Sequence, residues 1–161
     1  MKLVKISRKN VKHAFKIAYS IFKDKYSRKH IKEWYGRRIT GDFKHINSYL
    51  QYYLAYEKST LVGITGIYRY LEQNDCWLGW FGVLQSERRK GIGSQILLET
   101  MKRARKLGCK RFRLWTADKK VQQFYETNGF KRSPKERWIV VKGKKILKYP
   151  QDAVFYHKRL V

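Results

Sequence analysis

The sequence predicts one α/β domain over residues 1–161, a mixed and mostly antiparallel sheet flanked by helices. Three observations predict it. Short alternating or apolar runs bounded by turn residues recur as strands. Four stretches repeat apolar residues at helical spacing, and two of them stand between strands. With 161 residues, 43% of them hydrophobic and 16% aromatic, the chain can bury a core despite its charge.

The elements follow in order. Leu3 to Ile6 reads as a first strand. Ser7 or Asn10 caps a helix with Val11, Ala14, Phe15, Ala18 and Phe22 on one face. A Ser27 cap opens a second, carrying Ile31, Trp34, Tyr35 and Ile39, which Gly41-Asp42 closes. Tyr49 to Tyr56 and Leu61 to Leu71 form a hairpin around Glu57-Lys58-Ser59-Thr60. Gly63 and Gly66 in its second strand point to a bulge or a close backbone approach. After the turn Glu72 to Asp75, the continuously apolar Cys76 to Leu84 reads as a third, central strand. A helix spans about Gly91 to Leu107, buries Ile96, Leu97, Met101, Ala104 and Leu107, and ends at Gly108 with cations in its last turns. Lys110 to Thr116 is a strand. Asp118 caps a short helix that turns Val121, Phe124 and Tyr125 inward and stops at Gly129. Arg137 to Val141 and Val154 to Lys158 are the last strands. Between them lie a turn at Lys142 to Lys145, a short added strand at Ile146 to Tyr149, and a break at Pro150-Gln151-Asp152.

Lys and Arg number 38 against 12 Asp and Glu, a formal net charge of +26. That surface is either simply solvated or turned toward an anionic partner. The longest apolar run, Trp77 to Leu84, is too short to span a bilayer, and MKLVKISRKN has no apolar leader, so no membrane association is expected. Cys76 and Cys109 lie far apart on or beside strands, with no CxxC. They read as buried free thiols in a reducing cytoplasm. No metal site is expected.

The stretch Trp80 to Ser94, WFGVLQSERRKGIGS, carries the chemistry. A strand feeds a basic, Gly-rich loop that opens a helix. Unpaired N–H groups and a partial positive charge at the helix start make this an anion-binding device, so a phosphate-bearing ligand is expected at 88–94. The spacing excludes two ligand loops. Lys90 precedes the glycines, which rules out a P-loop, and Ile96 stands where a dinucleotide fingerprint needs its third glycine. What remains is Arg88-x-x-Gly91-x-Gly93, with Val83 five residues before the Arg. That resembles the acyl-CoA loop of the GNAT acetyltransferase superfamily. The segment from Asp118 to Phe130 resembles that family's second motif: Phe124, Tyr125, Glu126, Gly129 and Phe130 match, while Asp118 replaces the usual Asn and Val121 the usual Ala. The resemblance covers Val62 to Phe130 by motif and is architectural elsewhere.

The resemblance implies a GNAT-like fold in which the strands at 76–84 and 110–116 are a parallel pair that splays apart, and acetyl-CoA as co-substrate entering that cleft. Backbone groups near Phe81 and Val83 would pair with the pantetheine. The N–H groups of Arg89, Lys90, Gly91, Ile92, Gly93 and Ser94 would enclose the pyrophosphate, with Arg88, Arg89 and Lys90 adding attraction that cellular salt screens. Asp118 and Tyr125 complete the cofactor side. The reaction implied is direct acetyl transfer to an amine, with an oxyanion donor near Val83 and Tyr125 protonating the leaving thiolate. No acid lies within Cys76 to Leu84. Glu72 and Asp75 at its start are the candidates for the base, beside His157 and water.

The implied partners are acetyl-CoA, an amine acceptor, a second copy of the chain as a homodimer, and polyanions bound nonspecifically. Around the acceptor mouth, where the Lys23 to Tyr26 link would lie, Lys23, Lys25, Lys142, Lys144 and Lys145 face Asp24 and Asp152. The expected acceptor is therefore neutral or acidic. The alternative is a basic nucleic-acid-associated module that keeps the loop without catalysis. No helix-turn-helix spacing, RNP motif or zinc signature supports it, and the Tyr125 phenol has no use in it.

Overall fold

Hydrophobic periodicity divides this chain into a strand, two helices, an antiparallel run and a strand–helix–strand unit. The computed structural model describes residues 1–134, 138–141, 143–148 and 152–160. The order is β1 (Lys2–Lys5), α1 (Val11–Ile21), α2 (Lys25–Thr40), β2 (Asn47–Glu57), β3 (Thr60–Tyr70), β4 (Asp75–Leu78) and β5 (Gly82–Val83). Then come α3 (Ile92–Lys106), β6 (Arg111–Thr116), α4 (Lys119–Thr127), β7 (Lys131–Arg132), β8 (Trp138–Val141), β9 (Lys144–Lys148) and β10 (Val154–Arg159). The main sheet runs β1-β2-β3-β4-β6-β10-β7, with β5 also on β3, and β8 and β9 form a separate hairpin. Within the main sheet the β4–β6 pairing is parallel and the others are antiparallel.

Side-chain alternation gives the sheet two apolar faces. Leu78, Phe112, Leu114 and Tyr156 face α3 and α4. Ile64, Tyr68, Trp77 and Phe155 lie on the other face, with Ala14 and Ala18 of α1 and Ile31 and Tyr35 of α2. Burying each large apolar side chain contributes about 1.5–3 kcal/mol, so these two layers fix where the helices sit. No helix among the described residues is long and apolar enough to cross a membrane.

Four expectations change. The α2 cap is Asp24, not Ser27: the Asp24 carboxylate accepts the Ser27 N–H at 2.7 Å, which starts the helix at Lys25. The Asn10 side chain spans the β1–α1 turn instead of capping α1, accepting from Ser7 N–H at 2.8 Å and donating to Lys5 C=O at 3.0 Å. Cys76 and Cys109 are joined in a disulfide rather than free. β4 and the turn after α3 bring their Cα atoms to 5.7 Å beneath that helix. Residues 76–84 are also not one strand. Leu78 pairs with Ile67 and Gly82 with Ile64, so four steps on one side oppose three on the other. The extra residue makes a bulge, and a continuous apolar run cannot reveal it. Arg137, Lys142, Tyr149, Pro150 and Gln151, included in the expected last strands and turns, lie outside the described residues.

Candidate active site

The bulge opens the cleft. β4 and β6 pair from Asp75–Arg111 to Trp77–Arg113, and then β4 leaves β6 while β6 continues to Thr116. Gly79 faces the α1–α2 layer, where a Cβ would stand 2.7 Å from Tyr52 Cε1, and Trp80 packs on that layer too. Phe81 and Val83 pack toward α3 and α4. Gly79 and Trp80 on one face mark the extra residue.

Past the bulge, β5 still binds β3, with Leu84 N–H donating to Val62 C=O at 2.9 Å. Groups of alternate residues on an antiparallel strand point the same way. The N–H and C=O of Gly82 and Leu84 therefore face β3, and those of Phe81 and Val83 face the gap left by β6. The Val83 carbonyl is taken by Arg88 Nε at 3.1 Å. Its N–H has no partner among the described residues.

The loop after β5 ends on this gap. Gln85–Glu87 form one 3-10 turn, Arg89 has φ 65° and Gly91 φ 76°. A side chain at Gly91 would be strained by that left-handed backbone, whatever the space around it. The first intrahelical bond of α3 comes from Gln95 N–H to Gly91 C=O at 3.2 Å, and no side chain caps the helix. Among the described residues, the N–H groups of Arg89, Lys90, Gly91, Ile92, Gly93 and Ser94 donate to no protein acceptor. These donors suit an anion such as a diphosphate. Lys90 is paired with Glu87 at 3.1 Å. Gly93 serves a different end: a Cβ there would lie 3.3 Å from Phe124 Cε2, so its bare backbone seats that ring.

Tyr125 comes from α4. It is 8% exposed, with its ring near Phe81 (6.4 Å), Phe124 (5.3 Å), Phe130 (6.0 Å) and Tyr156 (6.1 Å). Burial, and secondarily the Asp118 charge, push its phenol well above the usual range, so it stays protonated at neutral pH. Its hydroxyl makes no hydrogen bond among the described residues. Asp118 is the N-cap of α4, accepting Lys120 N–H at 2.9 Å. Glu126 ties α4 to the sheet through Arg132 (2.7 Å) and Tyr156 Oη (3.1 Å). Arg132 chiefly holds its carboxyl below the usual range.

The base candidates gather elsewhere. Asp75 is held by Arg111 at 2.8 and 3.1 Å and by Arg113 at 3.5 Å, at the end where β4 and β6 are still paired. Glu72, at φ 63° in the exposed β3–β4 turn, is at the same end. His157 pairs in register with Arg113, level with the closed part of the sheet, and its Nδ1 lies 2.6 Å from Ser133 Oγ. Burial, then Arg111, Arg113 and Lys131, lower its pKa.

Two features escaped the sequence reading. The C-terminal end of α1 lies directly over the bulge: a Cβ on Gly82 would stand 2.5 Å from Ile21 Cγ2 and 3.4 Å from Phe22 Cζ, and Phe22 meets Trp80 edge-on at 5.1 Å. Phe81 stacks on Phe124 at 5.8 Å across the cleft on the other face. The close glycines 79 and 82 in an apolar strand were the available signal.

The model of the acetyltransferase (GNAT) family matches residues 13–130. No curated protein sequence matches the chain. Among solved structures, an acetyltransferase of the GNAT family from Staphylococcus aureus Mu50 is 22% identical, with TM-score 0.68 and 99% of each chain covered. The PaiA N-acetyltransferase of Thermoplasma acidophilum, in complex with coenzyme A, is 20% identical, with TM-score 0.70 and 98% of each chain covered. The ribosomal-protein-S18-alanine N-acetyltransferase of Escherichia coli is 15% identical at TM-score 0.68, covering 99% of this chain and 93% of its own.

Proposed function

This chain belongs to the acetyltransferase (GNAT) family, and on that premise we propose that it transfers an acetyl group directly from acetyl-CoA to the amine of a neutral or acidic small molecule, peptide or protein. What supports this is a set of donors unpaired among the described residues and close to β5: the Val83 N–H, the N–H groups of Arg89 to Ser94, with the Gly93 Cβ position 3.6 Å from Val83 Cγ2, and the Tyr125 hydroxyl, whose ring lies 6.4 Å from that of Phe81.

The thioester supplies an activated acetyl carbonyl. The N–H groups at the start of α3 hold the pyrophosphate, and the backbone edge of Phe81 and Val83 pairs with the pantetheine arm. The Val83 N–H donates to the carbonyl oxygen as charge develops on it. Tyr125 donates its proton to the departing sulfur. Asp118 is less suited to touch the pantetheine than the Asn common at its place, because its carboxylate caps α4.

The test is to combine the protein, acetyl-CoA and an amine panel, following free thiol and the mass of the acceptor. Amine-dependent thiol release with acetylated product is expected. Acetyl-CoA binding without transfer to any amine would leave the alternative of a basic binding module.

A further inference from the structure

The described carboxylates are engaged or placed in a way that bears on which amine can react. An amine attacks a thioester only as the free base, so an acceptor bound as an ammonium needs a protein group to take its proton. Tyr125 and the phosphate-binding loop occupy the α3–α4 side of the cleft, which leaves the α1–α2 side for the amine. The corner over the bulge on that side carries Lys23 and Lys25, both exposed, and Tyr26 at 68% exposure. Arg28 is tied to the Tyr19 and Phe22 carbonyls at 3.1 and 3.2 Å. Asp24 sits among them, but its carboxylate caps α2, and the Ser27 hydrogen bonds hold its pKa below the usual range.

On α2 itself Glu33 pairs with Arg37 at 2.6 Å, and the carboxylates around the strand pair and its flanking loops are no better placed. Asp75 is clamped by two guanidinium groups, and Glu72 is at the closed end of the strand pair. Glu87 pairs with Lys90, and Asp118 caps α4 on the cofactor side. Asp152, just before β10, is exposed. Glu136 is outside the described residues. His157 stands level with Arg113, below the splay, and is bonded to Ser133. The cations at the corner act on the acceptor as well, because like charges disfavour its protonated form.

Resting on the acetyltransfer reading above, we propose that the acceptor is an α-amine, the N-terminus of a peptide or an amino acid derivative, which reacts already neutral with none of the described carboxylates as its base. α-Amines titrate near 7.7–8.0 and lysine ε-amines near 10.4. At pH 7 roughly one α-amine in seven is neutral, against about one ε-amine in 2,500. The step balances without a protein base. The amine nitrogen bonds to the acetyl carbon, the carbon–sulfur bond breaks, sulfur takes the Tyr125 proton, and the proton shed by nitrogen returns to Tyr125 through water. The net products are an amide and a thiol.

The test pairs a lysine-free peptide bearing a free N-terminus with the same peptide N-acetylated and carrying one lysine. kcat/KM is measured from pH 6 to 9 on the whole protein and on Asp152→Asn. The α-amine peptide is expected to lead by about 100-fold or more at pH 7, with kcat/KM rising as the acceptor's own amine deprotonates and Asp152→Asn following the same curve. Three results would overturn the proposal. They are use of the ε-amine within tenfold, one shared acidic limb for both peptides, and a loss of 10²-fold or more in Asp152→Asn. Transfer to neither peptide, with spermidine or an aminoglycoside acetylated instead, would overturn this assignment and the neutral or acidic acceptor, while sparing acetyl transfer from acetyl-CoA itself. Transfer to no amine would overturn both.

Discussion

Tyr125 has an aromatic surround and an unpaired hydroxyl, so its ring and its proton are separable by substitution. Tyr125→Phe keeps the packing and removes the donor. It is expected to lower kcat roughly 10²-fold while acetyl-CoA affinity, measured by calorimetry, stays similar. Unaffected turnover would assign the leaving-group proton to water. Burial raises this phenol's pKa, so deprotonation of Tyr125 gives no alkaline fall in rate below about pH 10. Asp75 is a contrasting case. Asp75→Asn would leave Arg111 and the mostly buried Arg113 without their carboxylate and cost about 1–3 kcal/mol, with Arg111 half-exposed and so partly compensated by water. A drop in Tm with kcat unchanged per folded molecule would make Asp75 structural, and a 10²-fold fall in kcat would restore it as a base. The sequence displayed Tyr125 through its match in Phe-Tyr-Glu-x-x-Gly-Phe. For Asp75, the resemblance implied the parallel neighbour strand, but not the register that sets Arg111 and Arg113 of that strand against its carboxylate. The sequence could not show that Gly93 seats Phe124, since that contact joins residues 31 positions apart.

At the scale of elements, the decisive object is the bulge at Gly79–Trp80, which separates β4 from β5 and turns the Phe81 and Val83 backbone toward the cleft. Strand, loop and helix were legible from apolar runs, glycines and caps, and the parallel splayed pair followed from the motif resemblance. The bulge was not legible, because period-two alternation is invisible where every residue is apolar. α1 depends on it. Gly82→Ala would put a Cβ 2.5 Å from Ile21 Cγ2, so the Ile21 side chain, α1 or β5 must shift. Overpacking of this kind costs about 1–3 kcal/mol. Thermal unfolding is expected to show a lower Tm, and an unchanged Tm would mean that the Ile21 side chain gives way at no cost. Gly93→Val would crowd Phe124 at the opening turn of α3, and acetyl-CoA binding to the folded variant is expected to weaken tenfold or more, about 1.4 kcal/mol. Unchanged affinity would place the cofactor elsewhere.

For the whole molecule, charge is the dominant property. The +26 net charge cannot be localised from sequence, but the described structure commits several of its few acids to local partners: Glu33 to Arg37, Glu87 to Lys90, Glu99 to Lys102, Asp75 to Arg111. Such pairs leave little negative surface to gather a polycation. Polyanions should bind with affinity falling steeply as salt rises, checked by titrating a nucleic acid oligomer at two ionic strengths. The central claim is acetyl-CoA-dependent transfer to a neutral or acidic amine. Its most direct test is kcat/KM, by thiol release from acetyl-CoA, for a neutral or acidic peptide amine against spermidine and an aminoglycoside, at low and physiological salt. The peptide amine is predicted to be the better acceptor at both salts. Thiol release with no amine, or a strong preference for the polycations at both salts, would contradict it.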